Sequence, residues 1–242
     1  MMRFRNLFII LLFFTIGSSC QKNQRSIAMP GNTTNSNANS FTYLALGDSY
    51  TIGHNVPLSD NYPNQTVQLL KNDSLYGQLK IIATTGWTTN DLKQGINNDN
   101  SLLSSYNIVT LLIGVNNEYQ HKPIAIYKTE FEELLKKAIS LAAGKPQHVV
   151  VLSIPDWGVT PFADGRDRKQ IAKEIDDYNA INKDFATKYN VNYIDITPWT
   201  RQAANDLSLL ASDQLHPSGK EYARWAESLA VLIKNILRPN SN

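Results

Sequence analysis

The sequence predicts a three-layer α/β domain, with about five parallel strands between helices and a strand order that reverses near the first strand. Two observations predict it. From Phe41 onward, short apolar runs alternate with longer stretches of helical spacing, the pattern of a parallel sheet wound with helical crossovers. Runs such as NIVTLLIG at 107–114 and HVVVLSI at 148–154 are apolar almost without interruption, which marks strands buried on both faces. A chain of 242 residues, 42% hydrophobic and 18% charged, has the apolar content for such a core.

In chain order, the first segment is MMRFRNLFIILLFFTIGSSC. Arg3 and Arg5 precede an apolar run at 7–16, and Gly17, Ser18 and Ser19 precede Cys20. The run is too short to cross a bilayer, which takes roughly 20 residues, so it reads as a cleavable export signal over 1–20. Cys20 is the only cysteine. Its place resembles the lipobox of bacterial lipoproteins, although Gly17 stands where that box usually has Leu. The resemblance implies lipidation of Cys20 and a membrane tether at the periplasmic or outer-membrane face of an envelope. Ordinary signal cleavage, giving a secreted protein, is the alternative. Without a second cysteine there is no intrachain disulfide. Residues 21–40 are polar, rich in Asn and Ser, and read as a flexible tether to a domain over 41–242.

Within the domain, strands are expected over 43–46, 79–84, 108–114, 148–154 and 191–194. Helices are expected over 127–141, 171–189 and 219–237. In the first of these, Phe131, Leu134, Leu135, Ala138 and Ile139 share one face while Glu130, Glu132, Glu133 and Lys136 fall largely elsewhere. Open α/β sheets bind ligands beyond the carboxyl ends of their strands, at the topological switch point. Gly47-Asp48-Ser49, Gly86, Gly114-Val115-Asn116 and the loop from Pro155 to Phe162 each follow an expected strand. They belong on one sheet edge.

Several function classes are disfavoured. The net charge of +2 comes from Arg3 and Arg5, and residues 21–242 balance 21 basic against 21 acidic groups, which gives nucleic acid no bulk attraction. The nucleotide-binding glycine motifs and the G-x-S-x-G elbow are absent from the domain. The four histidines are isolated in sequence and Cys20 stands alone, so no metal or cofactor is expected.

A serine at a strand end is a nucleophile only if a base, an orienting acid and oxyanion donors accompany it. His216, in ASDQLHPSG, has Asp213 three residues before it, a spacing that sets a carboxylate beside the imidazole. His121 with Glu118 offers the same spacing and remains a rival. Gly86 lets backbone approach a ligand closely, and Asn116 brings a side-chain amide to a strand end.

Taken together, GDSY at 47–50, the Gly at 86, GVNN at 114–117 and DQLHP at 213–217 resemble the ordered blocks of the SGNH, or GDSL, hydrolases. The resemblance spans about residues 41–237. It implies a flavodoxin-like fold with Ser49 as nucleophile, His216 as general base and Asp213 as its orienting acid. It implies an oxyanion hole made of the Ser49 and Gly86 N–H groups and the Asn116 side chain. Tyr50 stands where the family name has Leu, and Asn117 where Asp is usual. Neither position supplies triad or oxyanion chemistry. The implied activity is hydrolysis of carboxylic esters carried on a carbohydrate or a lipid. An acyltransferase using the same triad, and an exported binding lipoprotein, are the alternatives. Trp87, Trp157 and Phe162 lie in or beside the expected active-edge loops, where they either line a pocket or pack the loops.

Overall fold

A computed structural model describes residues 39–238. The expected export signal, Cys20 and the tether up to residue 38 lie outside the described residues. The sheet has five parallel strands in the order β2-β1-β3-β4-β5. They are β1 (Ser40–Gly47), β2 (Tyr76–Ala83), β3 (Ile108–Leu112), β4 (Val149–Leu152) and β5 (Asn192–Ile194). β1 starts one residue inside the stretch read as tether, because Ser40 pairs with Tyr76 and the carbonyl of Asn39 accepts from the Tyr76 N–H.

The helices are α1 (Ser49–Ile52), α2 (Tyr62–Asn72), α3 (Thr89–Asn98), α4 (Val115–Tyr119), α5 (Ile124–Leu141), α6 (Arg168–Lys188), α7 (Thr197–Thr200) and α8 (Gly219–Leu237). Right-handed crossovers fix the layers. The step from β1 to β2 runs one way along the sheet, and the later steps to β3, β4 and β5 run the other. The α2 crossover and the crossovers through α3, α5 and α6 therefore cover opposite faces, and α8 packs beside α2. Both faces of β3 and β4 are sealed, and every residue of these two strands is buried, as their apolar runs require.

Several polar groups in the core are paired. The Tyr43 hydroxyl lies 3.0 Å from the Thr110 hydroxyl, and the Tyr62 hydroxyl shares the same Thr110 oxygen at 3.4 Å. Glu221, buried on α8, accepts from the Trp225 indole at 2.9 Å and from Arg224 at 2.8 Å. Such pairing removes the penalty of roughly 1 to 3 kcal/mol for an unsatisfied buried group.

The topology reverses beside β1, and the chain turns out of the sheet there at Gly47. A Cβ on Gly47 would lie 2.0 Å from the Thr51 Oγ1 and 2.5 Å from the Leu112 carbonyl oxygen. Leu112 is paired to Gly47 across the ladder, so its carbonyl cannot retreat without breaking the sheet. Gly47→Ala is expected to destabilise the fold by about 2 kcal/mol or more; urea denaturation measures it, and an unchanged midpoint would mean that the turn relaxes freely.

Candidate active site

Ser49 opens α1 directly after β1 and is 3% exposed. Asp48 caps this short helix, its Oδ1 accepting the Tyr50 N–H at 3.0 Å. As the first helical residue, Ser49 has a backbone N–H without an intrahelical acceptor. Complete burial pushes the Asp48 carboxyl up to about 7, against the Tyr50 N–H and the Asn116 amide, which favour its charged form.

The second component is a turn before α8. Asp213 Oδ1 accepts the N–H groups of Leu215 and His216, both at 3.0 Å, and its Oδ2 lies 2.7 Å from His216 Nδ1. The three-residue spacing thus works as a closed turn, with the carboxylate on one nitrogen and Nε2 left free. Burial pushes the His216 imidazole below its ordinary value, against the pull of Asp213, and His54 adds to the depression. Burial alone would raise the Asp213 carboxyl, but its hydrogen bonds to His216 and Leu215 hold it below the usual range. The site therefore holds a neutral imidazole beside an ionised carboxylate at pH 7.

Ser49, Gly86, Asn116 and His216 line one cleft of about 150 Å³. No hydrogen bond joins Ser49 Oγ to His216 in this structure; such contacts are often loose before a substrate tightens them. Gly86 has φ +85°, a conformation a side chain rarely adopts, and its N–H meets no protein acceptor. Asn116 Nδ2 donates to the Trp87 carbonyl at 3.0 Å and, at a long 3.4 Å, to Asp48 Oδ2.

The rival pair separates. His121 and Glu118 face a different cavity, with Glu174 and Tyr178, and the Glu118 carboxylate accepts the Trp157 indole N–H at 2.7 Å instead. Trp157 and Phe162 line the cleft, as does Tyr119. Trp87 needs correcting. Its ring packs on Gly95 of α3, where a Cβ would meet it at 2.3 Å, and only its carbonyl serves the site.

Two further residues had no clear sequence signal. His54 lies with its ring centroid 4.8 Å from that of His216, and Thr85 Oγ1 holds its Nδ1 at 3.0 Å. The histidines are thus not all isolated, since one ligand atom each from His54, Asp213 and His216 falls within 4.8 Å of the others. The fold closes this distance across 162 residues of chain, helped by the Asn55 to Ser212 hydrogen bond at 2.8 Å. Tyr119, the second, completes the aromatic wall of the cleft.

The buried Asp48 makes a pH-linked prediction. Its folded value near 7 against an ordinary 3.8 means that the folded state holds a proton the unfolded chain has released. Stability from this group is full below pH 4 and declines as pH rises toward 7, by ~4 kcal/mol at about 1.4 kcal/mol per pH unit. Asp48→Asn should flatten that decline in denaturant titrations at pH 4, 5.5 and 7. A decline equal to that of the wild type would show that Asp48 does not cause it.

Comparison with known proteins shows the family and the fold. The model of the GDSL-like Lipase/Acylhydrolase family matches residues 45–224. Among solved structures, a lipase/acylhydrolase from Enterococcus faecalis superposes with TM-score 0.64 at 18% identity, over 83% of this chain and 99% of that one. An acetylxylan esterase from Geobacillus stearothermophilus gives TM-score 0.62 at 19% identity, over 80% and 94%. The psychrotrophic esterase EstA from Pseudoalteromonas sp. gives 0.62 at 16%, over 81% and 98%. These likenesses carry the fold. A comparison with curated proteins returns no match. With three quarters of its length matched by the family model, the chain belongs to the GDSL-like Lipase/Acylhydrolase family and is a carboxylic-ester hydrolase.

Proposed function

We propose that the protein removes a short acyl group, acetyl in the simplest case, from a carbohydrate through an acyl-enzyme on Ser49. The observation that carries this reading is the Asp213–His216 pair at 2.7 Å, with His216 on the same small cleft as Ser49. At about 150 Å³ the cleft is small beside the roughly 300 to 1,000 Å³ of sites that enclose a drug-sized ligand. It suits a short acyl group whose alcohol remains on the rim. The solved acetylxylan esterase of similar fold is consistent with such a substrate. The export signal and Cys20 in turn support action outside the cytoplasm, with the enzyme tethered to the envelope.

In this reading, Ser49 Oγ attacks the ester carbonyl carbon as His216 Nε2 takes its proton, and Asp213 stabilises the imidazolium that forms. The carbonyl oxygen becomes an oxyanion between the N–H groups of Ser49 and Gly86 and the amide of Asn116. The long Asn116 contact to Asp48 is the one such an oxyanion displaces, and a protonated Asp48 competes only weakly for that hydrogen. His216 then protonates the departing alcohol. Water repeats the sequence, with His216 as base, and the acid leaves as Ser49 regains its proton.

Initial rates on p-nitrophenyl acetate test the reading. Ser49→Ala should abolish turnover, and Asn116→Ala should lower kcat by about 10²- to 10³-fold, the usual cost of one oxyanion donor. Since only neutral His216 accepts the proton, kcat/KM should fall on the acid side with a midpoint below the ordinary 6.5. Residual turnover in Ser49→Ala at the wild-type rate would remove Ser49 as nucleophile.

A further inference from the structure

Three aromatic rings line the cleft, and a cation packs over two of them. Tyr119 and Trp157 meet edge-on with centroids 5.3 Å apart, and Phe162 stands 6.1 Å from each. All three rings line the cleft that holds Ser49. Trp157 is fixed by its bond to Glu118, while Phe162 is 44% exposed, a large apolar face left to solvent. The guanidinium of Arg166 lies over the Tyr119 ring at 5.2 Å and the Trp157 ring at 5.5 Å.

Arg166 has no acidic partner among the described residues; its one side-chain hydrogen bond goes to the Tyr119 hydroxyl at 3.4 Å. Two acids are close in sequence, and both are engaged. Asp164 binds Arg168 at 2.6 Å, and Asp167 caps α6 through the N–H groups of Lys169 and Gln170. The loop itself is anchored from below, where buried Asp156 holds Arg201 at 2.8 Å and the Gly158 N–H at 2.9 Å. A planar fork with free donors, stacked on two of the rings that line the cleft, matches a carboxylate in geometry and in charge. A flat apolar ring face such as Phe162 offers a support for the C–H face of a sugar.

We propose that Tyr119, Trp157, Phe162 and Arg166 form a subsite for the alcohol part of the substrate, and that this alcohol is an acidic sugar, a glycuronosyl residue whose carboxylate binds Arg166. The inference rests on the esterase reading above and names its substrate class. The aromatic wall supports the ring, Arg166 takes the carboxylate, and the ester is presented to Ser49. The extra contact acts mainly through binding and lowers KM.

The test compares two matched esters, O-acetylated methyl glucuronide and O-acetylated methyl glucoside, which differ only in a carboxylate against a hydroxymethyl group. Wild-type kcat/KM should favour the glucuronide by about tenfold at low salt, mostly through KM, and the preference should shrink as salt screens the charge. Arg166→Gln should bring the ratio to within twofold of one, and Arg166→Lys, which keeps the charge but not the fork, should fall between. Phe162→Ala should raise KM for both esters. A wild-type ratio near one, or a preference that survives Arg166→Gln, would overturn the proposal. So would a preference confined to anionic over neutral lysolipids.

Binding separates this failure from failure of the esterase reading. Methyl glucuronide should bind Ser49→Ala in calorimetry, and the added substitution Arg166→Gln should weaken it about tenfold. If p-nitrophenyl acetate shows no Ser49-dependent turnover, the esterase reading falls while this binding result still decides the subsite. Equal binding with and without Arg166 sinks the subsite even if turnover is intact.

Discussion

Asp48 sits fully buried just past the end of β1, and three parts of the site depend on it at once. Its Oδ1 caps α1 and so sets the orientation of Ser49. Its Oδ2 touches Asn116, which arrives from the end of β3. Its backbone follows Gly47, whose missing side chain lets α1 leave the sheet directly against the Leu112 carbonyl. The carboxyl makes these contacts without a cation beside it, and burial therefore favours its protonated form. In its protonated form it places no full negative charge beside the donors proposed for the oxyanion.

The rest of the site is divided between rigid and adjustable parts. The Asp213 turn closes on itself through three hydrogen bonds, so His216 is aimed by local geometry more than by distant packing. Tyr50 and His54 press on its ring with centroids 5.0 and 4.8 Å away, which limits rotation. Trp157 and Phe162 of the aromatic wall belong to a loop pinned by Asp156 and Arg201, and Tyr119 ends α4. Because α4 carries both Asn116 and Tyr119, and Trp157 is bonded to Glu118 of the same helix, the polar and aromatic walls of the cleft share one element.

Much of this was legible in the sequence. The buried strands β3 and β4 show their apolar runs, and α8 begins and ends at the expected residues because its stripe from Tyr222 to Ile233 is strongly periodic. α2 and α3 were not located individually. α3 buries only Thr89, Leu92 and Ile96 and carries a Gly in its middle, and α2 has polar Thr66 on its buried face between Tyr62 and Leu70. The short-range pair Asp213 and His216 could be read from spacing. The meeting of His54 with His216 could not, since it depends on two loops from opposite ends of the domain. Trp87 followed a strand like the cleft aromatics, yet Gly95 offers it a slot on α3, a packing relation that motif reading does not reveal.

The central claim is that Ser49 is the one activated nucleophile of this fold. Intact-protein and peptide mass spectrometry after exposure to a fluorophosphonate tests it most directly, because the probe labels only an activated hydroxyl. The account predicts a single adduct, located on Ser49, that forms far more slowly in His216→Ala. An adduct on another residue, or labelling of Ser49 at the same rate without His216, would contradict it.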